Sequence, residues 1–307
     1  MENKTWKRII LSAIIAVQSL VIILILSSAK NAGYGSIDNV ETKTVYGTVT
    51  IPENVEFAGE QLPLDKFYVR ESLDRELLSN AYFHSQTIRL LKLAPRYFSV
   101  IEPILKEKGV PDDFKYLAVA ESGFNPRAVS PANAVGLWQF LRTTAQQYGL
   151  TVNSEVDERY HVKKSTYAAC DYLLSSYKRF GSWSMVAASY NAGVTGINRQ
   201  VERQKIDSYY DLLFGEETSR YVYRIIALKL IMENPAAYNF NVPDEEKYPI
   251  INTREIEITS SVANLAVFAA NQGINYKLLK DFNPWLRENS LSVAAGRKYV
   301  VEIPLLP

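Results

Sequence analysis

Leu117-Ala118-Val119-Ala120-Glu121-Ser122-Gly123-Phe124-Asn125-Pro126 is the stretch whose reading decides the fold. Pro111-Asp112-Asp113 precedes it as a helix start, with proline and early carboxylates suiting the positive helix end. The apolar run from Phe114 then carries a single carboxyl group, Glu121, to the helix end, where Ser-Gly and Asn-Pro turn the chain away. Leu117 lies one turn behind Glu121 on the same face, and Ala120 and Phe124 flank it. A carboxyl group on an apolar wall tends to keep its proton at neutral pH, because burial disfavours the charged form. A lone Glu at a helix end is by default a surface residue, so the functional reading depends on what else the chain supplies.

Working outward, the pattern from about Asp65 to Pro235 is nearly all helix and short loops. Leu73, Leu77, Leu78 and Tyr82 recur at helical steps, and Pro95 is read as opening an amphipathic helix that ends at Gly109. Further helices are expected near 143–148, 165–179, 183–190 and 217–233, with Gly149, Gly181 and Pro235 as breakers. After Pro249 the pattern changes to a strand at Arg254–Ile258, helices at Val262–Ala270 and Tyr276–Phe282, and a closing strand at Tyr299–Ile303. That order makes a small separate α+β domain. The fold class is therefore mainly α, with a helical domain over 65–240 and the small domain over 250–307.

The N-terminus reads as a targeting segment. Lys4, Lys7 and Arg8 precede an apolar run from Ile9 to Leu26, about long enough to span a bilayer. The basic flank puts residues 1–8 in the cytoplasm and exports the rest, with 9–29 as a membrane anchor. Cleavage near Ala29 is the competing reading, and it would release the protein to the periplasm. Residues 30–64, with alternation at Thr44–Ile51, read as an extended linker.

Composition excludes several classes. The chain has 307 residues, with Lys+Arg 34 against Asp+Glu 33, so no basic footprint for nucleic acid exists. The single cysteine, Cys170, in an Ala-rich helical pattern, reads as a buried thiol and rules out an intrachain disulfide. His84 and His161 have no partner at metal-ligand spacing and take surface or packing roles. No metal or cofactor is indicated, and the oligomeric state is not legible.

Three further segments stand in order after Glu121: Ala134-Val135-Gly136-Leu137-Trp138-Gln139, Tyr190-Asn191-Ala192-Gly193 and Glu217-Thr218-Ser219-Arg220-Tyr221-Val222. With the first stretch they resemble the lysozyme-like, SLT-domain lytic transglycosylase family, and most closely its membrane-bound D-type branch. The resemblance implies a lysozyme-like helical domain, a peptidoglycan glycan strand as substrate and a membrane-bound enzyme with its catalytic domain in the periplasm. It implies Glu121 as general acid and then base, protonating the glycosidic oxygen between MurNAc and GlcNAc. The muramic 6-hydroxyl would attack its own anomeric carbon, giving a 1,6-anhydromuramoyl end. Nucleophile and electrophile would share one sugar, so no water has to be positioned and one carboxyl suffices.

The resemblance also distributes binding roles. Ser122 would orient the acid or the substrate, or else cap its helix. Gly136 would allow close backbone approach to the sugar. Gln139 offers a donor and an acceptor for sugar groups, and Trp138 reads as core. Tyr190 and Asn191 would bind the sugar next to the scissile bond, or else cap a helix. Tyr221 would hold the Glu121 carboxyl in place, with Glu217 structural and Asp157 and Arg159 an ion pair bracing a loop. Asp112, Asp113 and Glu155 stay open as second acids, which a water-using muramidase would need; a catalytically dead glycan-binding scaffold is the remaining alternative. The small domain is similar to a LysM module, with Asn283-Pro284 as its turn, but Ser260-Ser261 replaces the usual Gly-Asp, so glycan binding and a structural role both stay open.

Overall fold

The structure, a computed structural model, describes residues 47–305. The expected cytoplasmic segment 1–8, the anchor at 9–29 and the linker up to residue 46 lie outside the described residues. Among the described residues no helix is long and apolar enough to cross a membrane.

The first element is a small antiparallel hairpin, β1 Glu56–Phe57 and β2 Glu60–Gln61. Ala58 and Gly59 form its turn with φ of 53° and 81°, the left-handed pair that a two-residue hairpin requires. Val55, Phe57, Leu62 and Leu64 are buried in the main core, and Phe57 packs on Phe114 at 5.3 Å. The expected linker is thus packed structure from residue 55 onward, because four apolar side chains give it something to bury. Gly47–Ile51, expected to alternate as a strand, carries none.

Helices α1 (Phe67–Tyr82) and α2 (His84–Lys108) follow. Pro95 does not open a helix, as the sequence suggested; Pro95 and Pro103 both sit inside α2. A proline removes one helical hydrogen bond and crowds the preceding turn. Here the apolar face on both sides, Leu90, Leu91, Leu93, Ile101, Ile104 and Leu105, is buried and holds the helix together. The Lys92 carbonyl, in the turn that Pro95 disturbs, accepts the Tyr248 amide at 2.8 Å.

A turn of 3-10 helix at Asp112–Phe114 leads into α3 (Lys115–Ser122). Then come α4 (Arg142–Gln147), α5 (Val162–Phe180), α6 (Trp183–Ala192), α7 (Val194–Gln204) and α8 (Glu216–Glu233). Helix α7 was not foreseen, since Asn191-Ala192-Gly193 reads as a helix stop. Gly193 (φ 75°) does end α6, but helix resumes at once, with Val194, Ile197 and Val201 recurring at helical steps and Ile197 buried. Helix α8 is central and packs on α1, α3 and α6. Trp138 is fully buried in this core, its indole N–H donating to Thr166 Oγ1 at 2.9 Å. Cys170 is buried there too, and burial pushes its thiol up to about 12.

The C-terminal region runs β3 (Thr253–Ile258), α9 (Leu265–Asn271), α10 (Tyr276–Phe282) and β4 (Tyr299–Pro304). The strands pair antiparallel from Thr253↔Pro304 to Ile258↔Tyr299. Asn264 and Asn275 cap the two helices through their side-chain oxygens. This α+β unit has the expected element order and packs directly on the helical domain. Val135, Val156 and Tyr160 of the helical domain share one apolar core with Leu265, Leu279, Trp285 and Val301. Residues 48–307 accordingly form one compact unit.

Candidate active site

Glu121 occupies the last turn of α3, one residue before its end. Gly123, at φ 57°, closes the helix by donating its amide to the Val119 carbonyl at 2.8 Å. Phe124 is also left-handed, at φ 59°, which costs a non-glycine residue roughly 1–2 kcal/mol. The strain is held by burial: Phe124 is 1% exposed, stacked on Tyr97 at 5.2 Å and edge-on to Phe98 at 5.3 Å. Phe124 therefore anchors the turn in the core; the cleft beside Glu121 has Leu90, Val119, Ala120, Val129 and Leu228 as its apolar lining instead.

That cleft has a volume of about 430 Å³. Among the residues lining it Glu121 is the one acid. Its carboxyl is half-buried, and burial pushes it up to about 7; the Tyr221 hydroxyl, which donates to Glu121 Oε1 in a short hydrogen bond, pulls the other way. The charge of Glu217 adds a small upward push and that of Arg224 a small downward one. Tyr221 is 2% exposed in α8, so its ring is clamped and its hydroxyl has one place to go.

The other expected residues divide. Ser122 and Gln139 line the cleft with Glu121. Ser122 Oγ donates back to the Ala118 carbonyl at 3.2 Å, a helix-end bond that coexists with its place at the cleft. Gln139, itself at φ 49°, donates its amide nitrogen to the carbonyls of Gly136 at 2.8 Å and Ala128 at 3.3 Å. Gly136 has a different reason to be glycine than the sugar approach expected. At φ 85°, a Cβ there would lie 2.0 Å from the Arg159 carbonyl oxygen, so the close approach is between two protein backbones. Tyr190 and Asn191 are not among the cleft-lining residues. Tyr190 donates to the Trp138 carbonyl at 2.7 Å and packs on Tyr172 and Phe140, with Glu121 close enough for its charge to add to the upward push of burial on the phenol. Asn191 Oδ1 accepts from Thr218 Oγ1 at 2.9 Å.

The three acids left open as partners for Glu121 are all engaged elsewhere. Asp113 holds Lys229 and the Ala58 amide, both at 2.7 Å; Asp112 holds Lys115 at 2.5 Å; Glu155 accepts from the Ser292 amide and hydroxyl at 2.9 and 3.0 Å. Asp157 and Arg159 form the buried ion pair expected, at 2.7 Å. The two histidines have packing roles: His84 against Tyr82 and Phe240, and His161 stacked on Trp285, where burial pulls it down to about 4. Among the described residues no group of three or more His, Cys, Asp or Glu could hold a metal ion.

Sequence reading missed Phe83, Val129 and Arg224 in the cleft. Phe83 (60% exposed) and Val129 (56% exposed) are open apolar faces on its lining. No motif marks Phe83, which stands at the break between α1 and α2; Arg224 could have been found as the residue one helical turn beyond Arg220.

Comparison with known proteins agrees with this architecture. Residues 98–213 match the transglycosylase SLT domain, and residues 254–306 match the soluble lytic transglycosylase C-terminal LysM-like domain. The chain thus carries an SLT domain and a LysM-like C-terminal domain of the kind found in lytic transglycosylases. It is 30% identical over 253 residues to membrane-bound lytic murein transglycosylase D of Escherichia coli K12, covering 80% of this chain and 54% of that protein. It is also 30% identical over 110 residues to a putative tributyltin chloride resistance protein of Alteromonas, covering 36% of this chain and 52% of that one. The chain thus spans about half the length of the curated relatives it matches. Among solved structures, the 70 kDa soluble lytic transglycosylase of Escherichia coli is 22% identical with a TM-score of 0.38, over 47% of this chain and 24% of that chain.

Proposed function

We propose that this chain is a peptidoglycan lytic transglycosylase in which Glu121 serves alone as acid and base. The observation that carries the reading is a cleft with one carboxyl, half-buried and poised near neutrality at about 7, fixed by the hydroxyl of a buried tyrosine. Such a group holds a proton when the glycan arrives and can part with it at working pH. Glu121 gives its proton to the glycosidic oxygen between MurNAc and GlcNAc as the C1–O bond breaks. The muramic 6-hydroxyl bonds to C1, and the Glu121 carboxylate takes the hydroxyl proton. Two shorter glycans leave, one with a 1,6-anhydromuramoyl end, and no water is consumed. Residues 65–240 are the cleaving domain and 250–307 the LysM-like domain. Ser122 and Gln139 contact the sugar at the cleft; Tyr190 and Gly136 support the Gln139 segment from behind, and Asn191 is tied to α8 through Thr218. The apolar segment 9–29 anchors the protein in the inner membrane with its catalytic domain in the periplasm.

The test is digestion of purified peptidoglycan by the full chain in detergent, with mass spectrometry of the fragments, beside Glu121→Gln. Anhydromuramic ends from the native chain, reduced by about a hundred- to ten-thousandfold in Glu121→Gln, are expected. Reducing ends would mean a water-using muramidase. Binding without cleavage would mean a scaffold.

A further inference from the structure

One wall of the cleft is the segment that contributes Ala128, Val129, Ser130 and Gln139. Two arginines tie this segment to the C-terminal domain, and neither lines the cleft. Arg127 is adjacent to the wall residues. Its guanidinium donates to the Lys280 carbonyl at 2.6 Å and pairs with Asp281 at 2.8 Å, both in α10. Arg159 holds the same segment from inside. It donates to the Asn133 and Phe140 carbonyls at 3.1 and 3.2 Å, its own carbonyl packs on Gly136, and Gly136 in turn accepts from Gln139.

Arg159 is positioned by Asp157, and Asp157 lies on a seam with the C-terminal domain. The Asp157 amide donates to the Trp285 carbonyl at 2.9 Å, and the Arg287 amide donates to the Glu155 carbonyl at 2.8 Å. Val156 bridges Leu286 antiparallel, and Val135 of the wall segment shares the apolar core with Trp285 and Leu286. Two independent routes therefore run from the C-terminal domain to the backbone beside Glu121.

We propose that the LysM-like domain is a built-in brace of the cleaving cleft, with Arg127 and Arg159 as positioning residues that hold the wall segment 127–140 against it. The domain then contributes to glycan affinity without touching the glycan. The affinity part rests on the function proposed above; the brace itself does not.

The test is a double-mutant cycle, Arg127→Ala, Asp281→Ala and both, in the full chain carrying Glu121→Gln so that glycan is bound and not cut. Amide hydrogen exchange over 127–140 is read without ligand, and binding of a soluble MurNAc–GlcNAc oligosaccharide is read beside it. Loss of this half-exposed ion pair should speed exchange in the segment by roughly two- to fivefold. Affinity should fall by a similar factor, with the larger loss in Arg127→Ala, which also gives up the Lys280 carbonyl, and the two losses should be non-additive in the ion pair they share. Arg127→Lys, which keeps the charge opposite Asp281, should recover part of both. Unchanged exchange at 127–140 in Arg127→Ala, which removes both bonds to α10, overturns the brace. So does a loss of affinity in Arg127→Ala with unchanged exchange, because Arg127 would then be touching glycan. Faster exchange with no glycan binding by the Glu121→Gln parent sinks the proposed function and leaves the brace standing.

Discussion

Glu76 and Glu121 are the same residue type, carried by α1 and α3 against the same helix α8, and they meet opposite fates. Glu76, 1% exposed, lies between Arg220 at 2.6 Å and Arg224 at 3.6 Å. Glu121 meets Tyr221. Arg220 and Arg224 are one helical turn apart and share a face, while Tyr221 is turned about 100° from Arg220 and addresses the other helix. One turn of α8 thus gives one carboxyl two guanidiniums on one side and another carboxyl a tyrosine hydroxyl on the other. The lesson is that a neighbour's charge decides the role of a buried carboxyl: two guanidiniums hold a carboxylate in place, whereas a neutral hydroxyl orients a carboxyl that burial keeps near neutrality.

Replacing each carboxyl by its amide isosphere in shape, Glu→Gln, breaks the comparison most directly. Glu76→Gln takes the shared anion from two partly exposed guanidiniums that each keep a second acid, and should cost about 1.5–3 kcal/mol. Urea denaturation at neutral pH reads this as a lower midpoint. An unaltered midpoint would mean that Arg220 and Arg224 find other partners at little cost. Glu121→Gln should have the opposite sign. The native carboxyl titrates at about 7 against an ordinary 4.5, so the folded state binds the proton more tightly. Folding stability from this group is fully present below about 4.5 and is lost as pH rises through about 7. Above that pH Glu121→Gln should be the more stable chain by up to about 3 kcal/mol, with the gap closing toward pH 4.5. A gap that does not vary with pH would count against a buried, raised Glu121.

Tyr221→Phe sharpens the same contrast. It removes a hydrogen bond to the carboxyl, so cleavage should slow by roughly tenfold or more, in line with about 1.5–3 kcal/mol for a bond to a charged group. The phenol holds Glu121 down, so its loss moves the alkaline limb of the pH–rate profile upward. A slower enzyme with an unmoved limb would reduce Tyr221 to packing. The smallest effect belongs to Glu217→Gln. Glu217 pushes Glu121 up and pairs with Arg224 at 3.1 Å, so its removal takes away a negative charge and leaves a positive one less neutralised. Both changes move the alkaline limb downward, and an upward move would show that Glu217 acts through structure instead.

The legibility of this site follows how local each feature is. Glu121, Ser122 and Gln139 were readable because each sits in a short motif whose neighbours mark a helix end or a tight turn. The bond from Tyr221 was expected from the family resemblance, and the geometry has it. Gly136 was singled out, but its reason, the Arg159 carbonyl, lies in a segment that only folding brings near. Tyr190 and Asn191 were expected beside the sugar, and what no local pattern gave is their bonds to the Trp138 carbonyl and to Thr218. Phe83 carried no mark, because an exposed aromatic at a helix break looks alike at a cleft and at a surface. Most helices were readable from a recurring apolar face; α7 was missed behind the stop signal at Gly193, and the passage of α2 through Pro95 behind the proline.

By itself the sequence determined the helical character of 65–235, the strand-helix-helix-strand order at the C-terminus and the arrival of one carboxyl at a helix end. These are matters of period, capping and turn chemistry, settled within a few residues. Only the tertiary structure decided that the C-terminal domain shares a core with Val135, Val156 and Tyr160, that the hairpin at 55–64 belongs to the body, and that Glu76 meets Arg220 and Arg224. Those outcomes depend on which faces of distant segments meet. That is set by summed burial over the whole chain, which no local pattern encodes.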